Sequence, residues 1–396
     1  MNALTSPIRA APPATEASEP VRICFPFSGD AVGGSHVSVL GLVGQLDPAH
    51  YRALIVPELA DGNIARLFAG HEMLPDPVAR PRRFVPGHAL GLAKFVGTLA
   101  GVPERMRFLR RHRIAIVHLN DGRTSANWAL AARLASARIV WHHRGDPGAL
   151  GLRIAAPLLA DRVLTVSSFA LPRKGLWSAA RKAQVVHSPF DTDIAVDRDA
   201  ARATLVRELG VSPDTVILGY FGAFVPRKRP LLFADMMARL RTLTGRPVIG
   251  LMFGEARVPE MAAALDRRIA ENNAADIVRL MGYRTPGAFW IAACDQLVVP
   301  SIGEPFGRTL IEAMVVGTPV IATASGGNIE ALDGGYGVLV AADDADALAQ
   351  GCADLIADPA SAARLAARAR GAARARFSAR RHHDQVTAVY AELLRG

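Results

Sequence analysis

The chain has three cysteines in 396 residues, Cys24, Cys294 and Cys352, far apart and without a Cys-x-x-Cys pair. That argues against a disulfide framework or a structural zinc and fits a reducing, cytoplasmic setting. Aromatic residues make up 6 % of the chain, and none interleaves with a basic run. No RRM signature or C2H2 spacing is present either, so no nucleic-acid partner is expected. Half the residues are hydrophobic, many of them alanine, yet no stretch of about 20 is free of charge, glycine and proline, so no membrane-spanning helix is expected. No Gly-x-Gly-x-x-Gly follows the first strand-like run, which weighs against a dinucleotide enzyme. The segment GDAVGGSH (29–36) has the glycines of a phosphate loop but no lysine after them, so that mechanism fails. Residues 1–20 are rich in Ala, Pro and Ser and lack an apolar core, which reads as a disordered leader and not as a signal peptide.

What is present is positive charge, and it is uneven. The net charge is +10, and between Arg80 and Arg113 nine basic residues face one acid, a local excess of eight. A second arginine cluster runs from Arg364 to Arg381. Such patches draw anionic lipid or phosphorylated substrates, or are simply solvated helix faces.

The pattern along the chain is strand, helix, strand. Apolar runs such as VRICFPF (21–27), IAIVHLN (114–120), ARIVWHH (137–143), TVILGYFG (215–222), RPVIGLMFG (246–254) and QLVVPS (296–301) alternate with helical segments. That rhythm implies parallel sheets covered on both faces. At this length it implies an α/β chain of two doubly wound, Rossmann-like domains facing across a cleft. The expected divisions are 21–192 for the first domain, 193–378 for the second, and 379–396 for a closing helix. Ligands of such sheets bind beyond the carboxyl ends of the strands.

One stretch there carries chemistry: SIGEPFGRTLIEAMVVGTPVIATASGGNIEAL (301–332). A turn bearing Glu304 leads into a helix that stops at Gly317, and Glu312 lies inside the helix between apolar neighbours. The helix amides favour an anion or electron-rich hydroxyls, and a carboxylate such as Glu312 can accept from both hydroxyls of a ribose diol. The spacing suits a nucleotide-sugar.

The pattern E-P-F-G-x-x-x-x-E-A-M, then G-T-P-V-I-A-T, then G-G-x-x-E closely resembles the retaining glycosyltransferases of the GT-B fold, family 4 (glycosyltransferase group 1). The resemblance runs from about residue 20 to 392, stronger in the second half. It implies a hexosyltransferase-type enzyme that uses a nucleotide-diphosphate-sugar donor as a substrate, with no cofactor and no metal. It implies that Glu304, Phe306 and Gly307 hold the donor sugar and Glu312 the ribose. Gly326, Gly327 and Glu330 would pack beside the diphosphate, and Lys228 in FGAFVPRKRP would neutralise it. Tyr283 and Arg284 would lie near the base, Gly33 and Gly34 would form the first domain's glycine loop, and His142 would stand near the sugar and β-phosphate. The last residues, FSARRHHDQVTAVYAELL, resemble a helix that crosses back to the first domain.

Two positions depart from the family. The arginine expected after Gly222 is Ala223, and the glycine expected after Lys228 is Arg229. A diphosphate leaving group needs cations as its charge develops. Arg227 or Arg229 is therefore expected to stand in, the alternative being a weak or non-catalytic GT-B protein that binds glycan or nucleotide. A nucleotide-sugar epimerase on the same fold is a further alternative, against which the complete Glu-x7-Glu segment argues. The acceptor is expected to be a glycan or lipid-linked hydroxyl in cell-surface polysaccharide, lipopolysaccharide or glycolipid synthesis, with a soluble small molecule as the rival. His118, Asp121 and Arg123 are candidates to contact it; for His118 a structural hydrogen bond is an equal reading. Asp191-x-Asp193 is read as a structural turn rather than a metal site. The basic stretch and the apolar run HALGLAKFVGTLAG (88–101) suggest peripheral contact with an anionic membrane from the cytoplasmic side.

Overall fold

A computed structural model describes residues 19–78 and 99–395. Most of the expected leader, and residues 88–98 of the apolar run, lie outside the described residues. Two six-stranded sheets form, and every strand pairing in them is parallel. The first contains β1 (Val21–Pro26), β2 (Tyr51–Val56), β3 (Ile116–Leu119), β4 (Arg138–His143), β5 (Arg162–Thr165) and β6 (Ala183–Val185), in the order β2-β1-β3-β4-β5-β6. The second contains β7 (Val216–Phe221), β8 (Val248–Phe253), β9 (Val278–Gly282), β10 (Gln296–Val299), β11 (Val320–Thr323) and β12 (Val338–Val340), in the order β12-β11-β10-β7-β8-β9. Strands buried on both faces read as unbroken apolar runs. β8, VIGLMF, is buried at every position.

Both sheets reverse strand order beside their first strand, between β1 and β3 and between β7 and β10. These are the points where loops diverge and leave a crevice. Helix α1 (Gly34–Val43) follows β1, and α2 (Asn63–Leu67) follows β2. Helices α3 (Val102–Arg111) and α4 (Gly122–Leu134) flank β3, and a π turn (Gly151–Ala155) runs into α5 (Ala156–Leu159) before β5. In the second domain α6 (Arg198–Leu209) precedes β7, and α7 (Pro230–Leu243), α8 (Pro259–Glu271) and α9 (Gly287–Ala293) follow β7, β8 and β9. Helices α10 (Arg308–Val316) and α11 (Gly327–Leu332) follow β10 and β11, and α12 (Ala345–Ala357) and α13 (Pro359–Phe377) follow β12.

The chain passes between the domains twice, and the two passages touch: Phe190 N–H donates to the Phe377 carbonyl at 3.0 Å. After Ser378 the helix α14 (Ala379–Arg395) buries Val386, Val389, Tyr390 and Leu393 among Ile23, Phe25 and Ile116 of the first domain.

One member of the basic stretch is not surface charge. Arg105 is fully buried, its guanidinium forked onto Asp76 at 3.1 and 2.7 Å, donating to the Asn127 carbonyl at 3.2 Å and lying 5.1 Å from the Trp128 ring centre.

Candidate active site

The loop after β10 carries Glu304, 92 % of which is out of solvent. Its Oε2 accepts from Arg227 Nη1 and, at 3.1 Å, from Lys228 Nζ. Both cations come from the short turn after β7, which is docked onto the same loop by Ile302 N–H donating to the Arg227 carbonyl at 2.9 Å. Two cations on one carboxylate leave one positive charge unmatched at this point. Gly222 ends β7 directly beneath the Lys228 side chain: a Cβ there would meet Lys228 Cδ at 2.8 Å. Behind the loop, Gly327 N–H donates to the Glu304 carbonyl at 2.7 Å. Gly326 has φ +59, and a Cβ on it would lie 2.5 Å from that same carbonyl oxygen, so only glycine fits. The glycine pair thus fixes the backbone that presents Glu304.

Glu312 lies in the second turn of α10, its side chain 31 % exposed. Burial raises its pKa above the ordinary carboxylate range, and Arg308 and Lys228 pull it back down. Arg308, the first residue of α10, lies 3.8 Å from Glu312 Oε1 but reaches over the cleft. It donates to Ser38 Oγ on α1 at 3.3 Å and sits 4.3 Å from the Phe190 ring centre. A Cβ on Gly34 would strike Arg308 Cδ at 2.5 Å. The first domain's glycine loop is therefore what lets this arginine lie against α1.

On the opposite wall, β4 carries His142 one residue before its end, and it is 1 % exposed. Its Nδ1 lies 3.2 Å from Arg144 Nη2 and 3.2 Å from His118 Nε2, and His118 Nδ1 lies 2.5 Å from the Tyr390 hydroxyl. Arginine only donates, so His142 Nδ1 is an acceptor and the neutral ring carries its proton on Nε2. His118 Nε2–H then donates to His142, and the Tyr390 hydroxyl donates to His118. The Nε2–H of His142 is buried and has no partner among the described residues, so it is a donor available to a ligand.

Arg144 donates to Ser188 Oγ at 3.1 Å and Asn120 Oδ1 at 3.3 Å, and no carboxylate pairs with it among the described residues. Burial, then repulsion from Arg308, pushes its pKa down to about 9. A part-buried cation without an anion is costly unless a ligand supplies one. Arg144 and Arg308, facing from the two domains, together with Lys228 and Arg227, make the cleft a receptor for a strongly anionic group.

Residues 215–358 match the sequence family described as "Glycosyl transferases group 1". This match lies within the second domain. Over 188 residues the chain is 34 % identical to the D-inositol 3-phosphate glycosyltransferase of Kribbella flavida, covering 45 % of this chain and 43 % of that protein. Over 195 residues it is 35 % identical to the lipopolysaccharide core biosynthesis mannosyltransferase LpsB of Rhizobium meliloti, covering 48 % and 55 %. The chain thus spans about half the length of the curated relatives it matches. In structure it superposes on HepE of Anabaena, solved with UDP and glucose, with a TM-score of 0.78 over 94 % of this chain and 99 % of that one, at 22 % identity. Sucrose-phosphate synthase of Thermosynechococcus elongatus gives 0.71 over 94 % and 99 %, at 20 % identity. The fold is GT-B, as the sequence led us to expect.

In the second domain, Gly307 caps α10, and Phe306 is buried against His187, Phe190 and Phe377 at the passage between domains. Glu330 leaves its own domain, accepting from His187 Nε2 at 2.7 Å and Ser168 N–H at 2.5 Å in the first. Burial alone would raise its pKa, but these two hydrogen bonds outweigh it and hold the carboxylate ionised. Arg229 turns away from Glu304 and pairs with Asp343 at 2.9 Å, so it is not the cation beside the carboxylate; Arg227 is. Arg284 is likewise engaged, forked onto Glu208 at 2.8 and 2.6 Å and stacked 4.6 Å from the Trp290 ring centre, and Tyr283 is 78 % exposed.

In the first domain, Gly33 precedes α1, its N–H donating to His36 Nδ1 at 3.1 Å. Asp121 caps α4, accepting from Thr124 N–H at 2.9 Å and Thr124 Oγ1 at 2.5 Å. Arg123 lies beside the loop after β1, where a Cβ on Gly29 would approach Arg123 Nη2 to 3.0 Å. His118 makes the structural bond, to Tyr390. Asp191 Oδ1 accepts from Asp193 N–H at 3.1 Å, a local turn.

Sequence reasoning passed over Arg308 and Arg144. Each had a signal: an arginine opening the helix after E-P-F-G, and an arginine two residues past a strand-end histidine.

The buried histidines make stability depend on pH. Burial first, then neighbouring positive charge, depresses His118 and His142 far below the ordinary value and takes His382 to about 3. These folded values lie below the unfolded value of about 6.5, so the unfolded chain takes up more protons below that pH. Stability is then whole above about pH 6.5 and falls as pH drops below it, by up to about 1.4 kcal/mol per pH unit for each histidine. Urea unfolding between pH 7 and 5 checks this. His382→Phe should flatten the slope, and an equal slope in that variant would count against the assignment.

Proposed function

We propose that the protein moves a sugar from a nucleotide-diphosphate-sugar donor to an acceptor hydroxyl, with retention of configuration, in cell-surface polysaccharide, lipopolysaccharide or glycolipid synthesis. The observation that carries this is the pair Glu304 and Glu312 on one loop and helix, with Lys228, Arg227 and Arg308 set among them at the carboxyl ends of β7 and β10. HepE, which shares the fold, was solved with UDP-glucose as well.

In this reading the ribose hydroxyls donate to Glu312, the sugar lies by Glu304, and the diphosphate lies among Lys228, Arg308 and Arg144. These cations are fixed before the bond breaks and stabilise charge as it develops on the leaving phosphate. His142 Nε2–H donates to the sugar or the β-phosphate. The leaving phosphate takes the acceptor's proton on the same face of the sugar. The donor is a substrate and the chemistry needs no metal. Ala223 is compensated from elsewhere in the fold, by Arg308 and Arg144 beside Arg227. The acceptor enters from the first domain, which works at a membrane surface on the cytoplasmic side.

Thermal unfolding with UDP, GDP, ADP, dTDP and CDP sugars tests the donor site. A sugar nucleotide at 100 times its Kd stabilises by about 2.7 kcal/mol. The shift should appear with one base and vanish in Glu312→Ala. No shift with any of them would favour the non-catalytic alternative.

A further inference from the structure

Five large apolar side chains of the first domain stand in solvent near one another. Leu150, Ile154 and Leu158 are 67, 62 and 60 % exposed, and Leu176 and Trp177 are 97 and 77 % exposed. The first three are four residues apart on the π turn and α5, so they form one stripe. The opposite side of that segment, Leu152, Ala156 and Ala160, packs with Ala179 in the core. Ala179 follows Trp177 by two residues, and Lys182 Nζ donates to the Pro157 and Ala160 carbonyls at 3.0 and 2.8 Å. The Leu176–Trp177 loop is therefore fastened beside the stripe.

Basic residues flank the patch. Arg153, Arg173, Lys174 and Arg181 are exposed, and none pairs with a carboxylate among the described residues. Both loops that bear the patch start in the cleft. The one after β4 begins at Arg144, two residues past His142. The one after β5 passes Ser167, whose Oγ donates to the Pro305 carbonyl at 2.5 Å, before it reaches Leu176.

We propose that this patch docks the protein on an anionic lipid bilayer, with Trp177 and the leucines in the headgroup–acyl boundary and the four cations against the headgroups. An exposed tryptophan with aliphatic neighbours and a basic rim matches an interface that is apolar within and negative outside. Both loops that bear the patch run from the cleft, so docking would hold the first domain, and the acceptor it receives, at the bilayer. This contact is distinct from the basic stretch 80–113 and rests on the transferase reading only for its purpose, not for its existence.

The full-length protein is floated with vesicles of phosphatidylcholine alone and of phosphatidylcholine and phosphatidylglycerol in equal parts, at low and high salt. We expect binding to the mixed vesicles only, weakened by salt, with a blue shift of tryptophan emission. Leu176→Ser with Trp177→Ser should weaken binding by about tenfold or more and remove the blue shift. Arg173→Glu with Lys174→Glu should weaken it comparably. Both variants should keep the wild-type thermal shift with the donor, which reports the transferase site separately. Wild-type binding by both variants would overturn the proposal, as would the absence of binding to either vesicle. Self-association abolished by the serine variant, without vesicle binding, would reassign the patch to a second copy of the chain.

Discussion

Lys228→Met is expected to cut kcat/KM by about 10²–10³-fold, the usual cost of losing one preorganised group that meets developing negative charge. Lys228 Nζ lies 3.1 Å from Glu304, and Gly222 leaves the room its side chain needs. In the proposed reaction the loss should fall mainly on kcat, because the charge Lys228 meets would grow as the glycosidic bond breaks. Arg308→Met should behave alike, since Arg308 is the cation that joins the two walls of the cleft. Arg229→Met should stay near wild type, because that arginine is spent on Asp343. Steady-state kinetics with the donor found by thermal shift decide the matter. Equal losses for Arg229→Met and Arg308→Met would mean that the wrong residue has been assigned to offset Ala223.

The largest expected effect on stability lies away from the cleft. Asp76→Ala strips from Arg105, which is fully buried, the carboxylate it pairs with. Removing one partner of a buried pair costs about 3–5 kcal/mol, because the other charge stays in the core. Replacing both is different: Asp76→Ala with Arg105→Met removes the stranded charge and should recover much of the loss. Chemical denaturation of the single and double variants checks this. A double variant no more stable than Asp76→Ala would show that packing, not charge, holds that site.

How much of this could be read from the sequence follows from distance along the chain. The parallel sheets were legible because strands covered on both faces must be largely apolar, as in β8. Glu304 and Glu312 were legible because one loop and one helix carry both. Whatever depended on a partner far along the chain was not. His118 stood open between acceptor contact and structural bond until Tyr390, 272 residues later, took its Nδ1. Arg227 and Arg229 look equivalent in R-K-R, and only the left-handed backbone at Arg229, φ +53, turns it toward Asp343. Arg308 and Arg144 gain their meaning by facing each other from different domains. Charge counts misled at Arg105, which composition places on a basic surface and the fold places in the core. Trp177 could not be singled out, because no local pattern distinguishes an exposed tryptophan from a buried one.

The two passages that meet at Phe190 and Phe377 make the second domain an insertion into the first. Tyr390 and its neighbours on α14 fill a core whose other buried residues were synthesised some 200 to 370 positions earlier, among them Ile23, Phe25 and Ile116. On the ribosome, the second domain can complete its sheet and fold while the first domain still waits for its last wall. The first domain's core closes only after the last helix has been made. A nascent chain halted before α14 would present a finished second domain tethered to a half with an open apolar face, the kind of surface that chaperones hold.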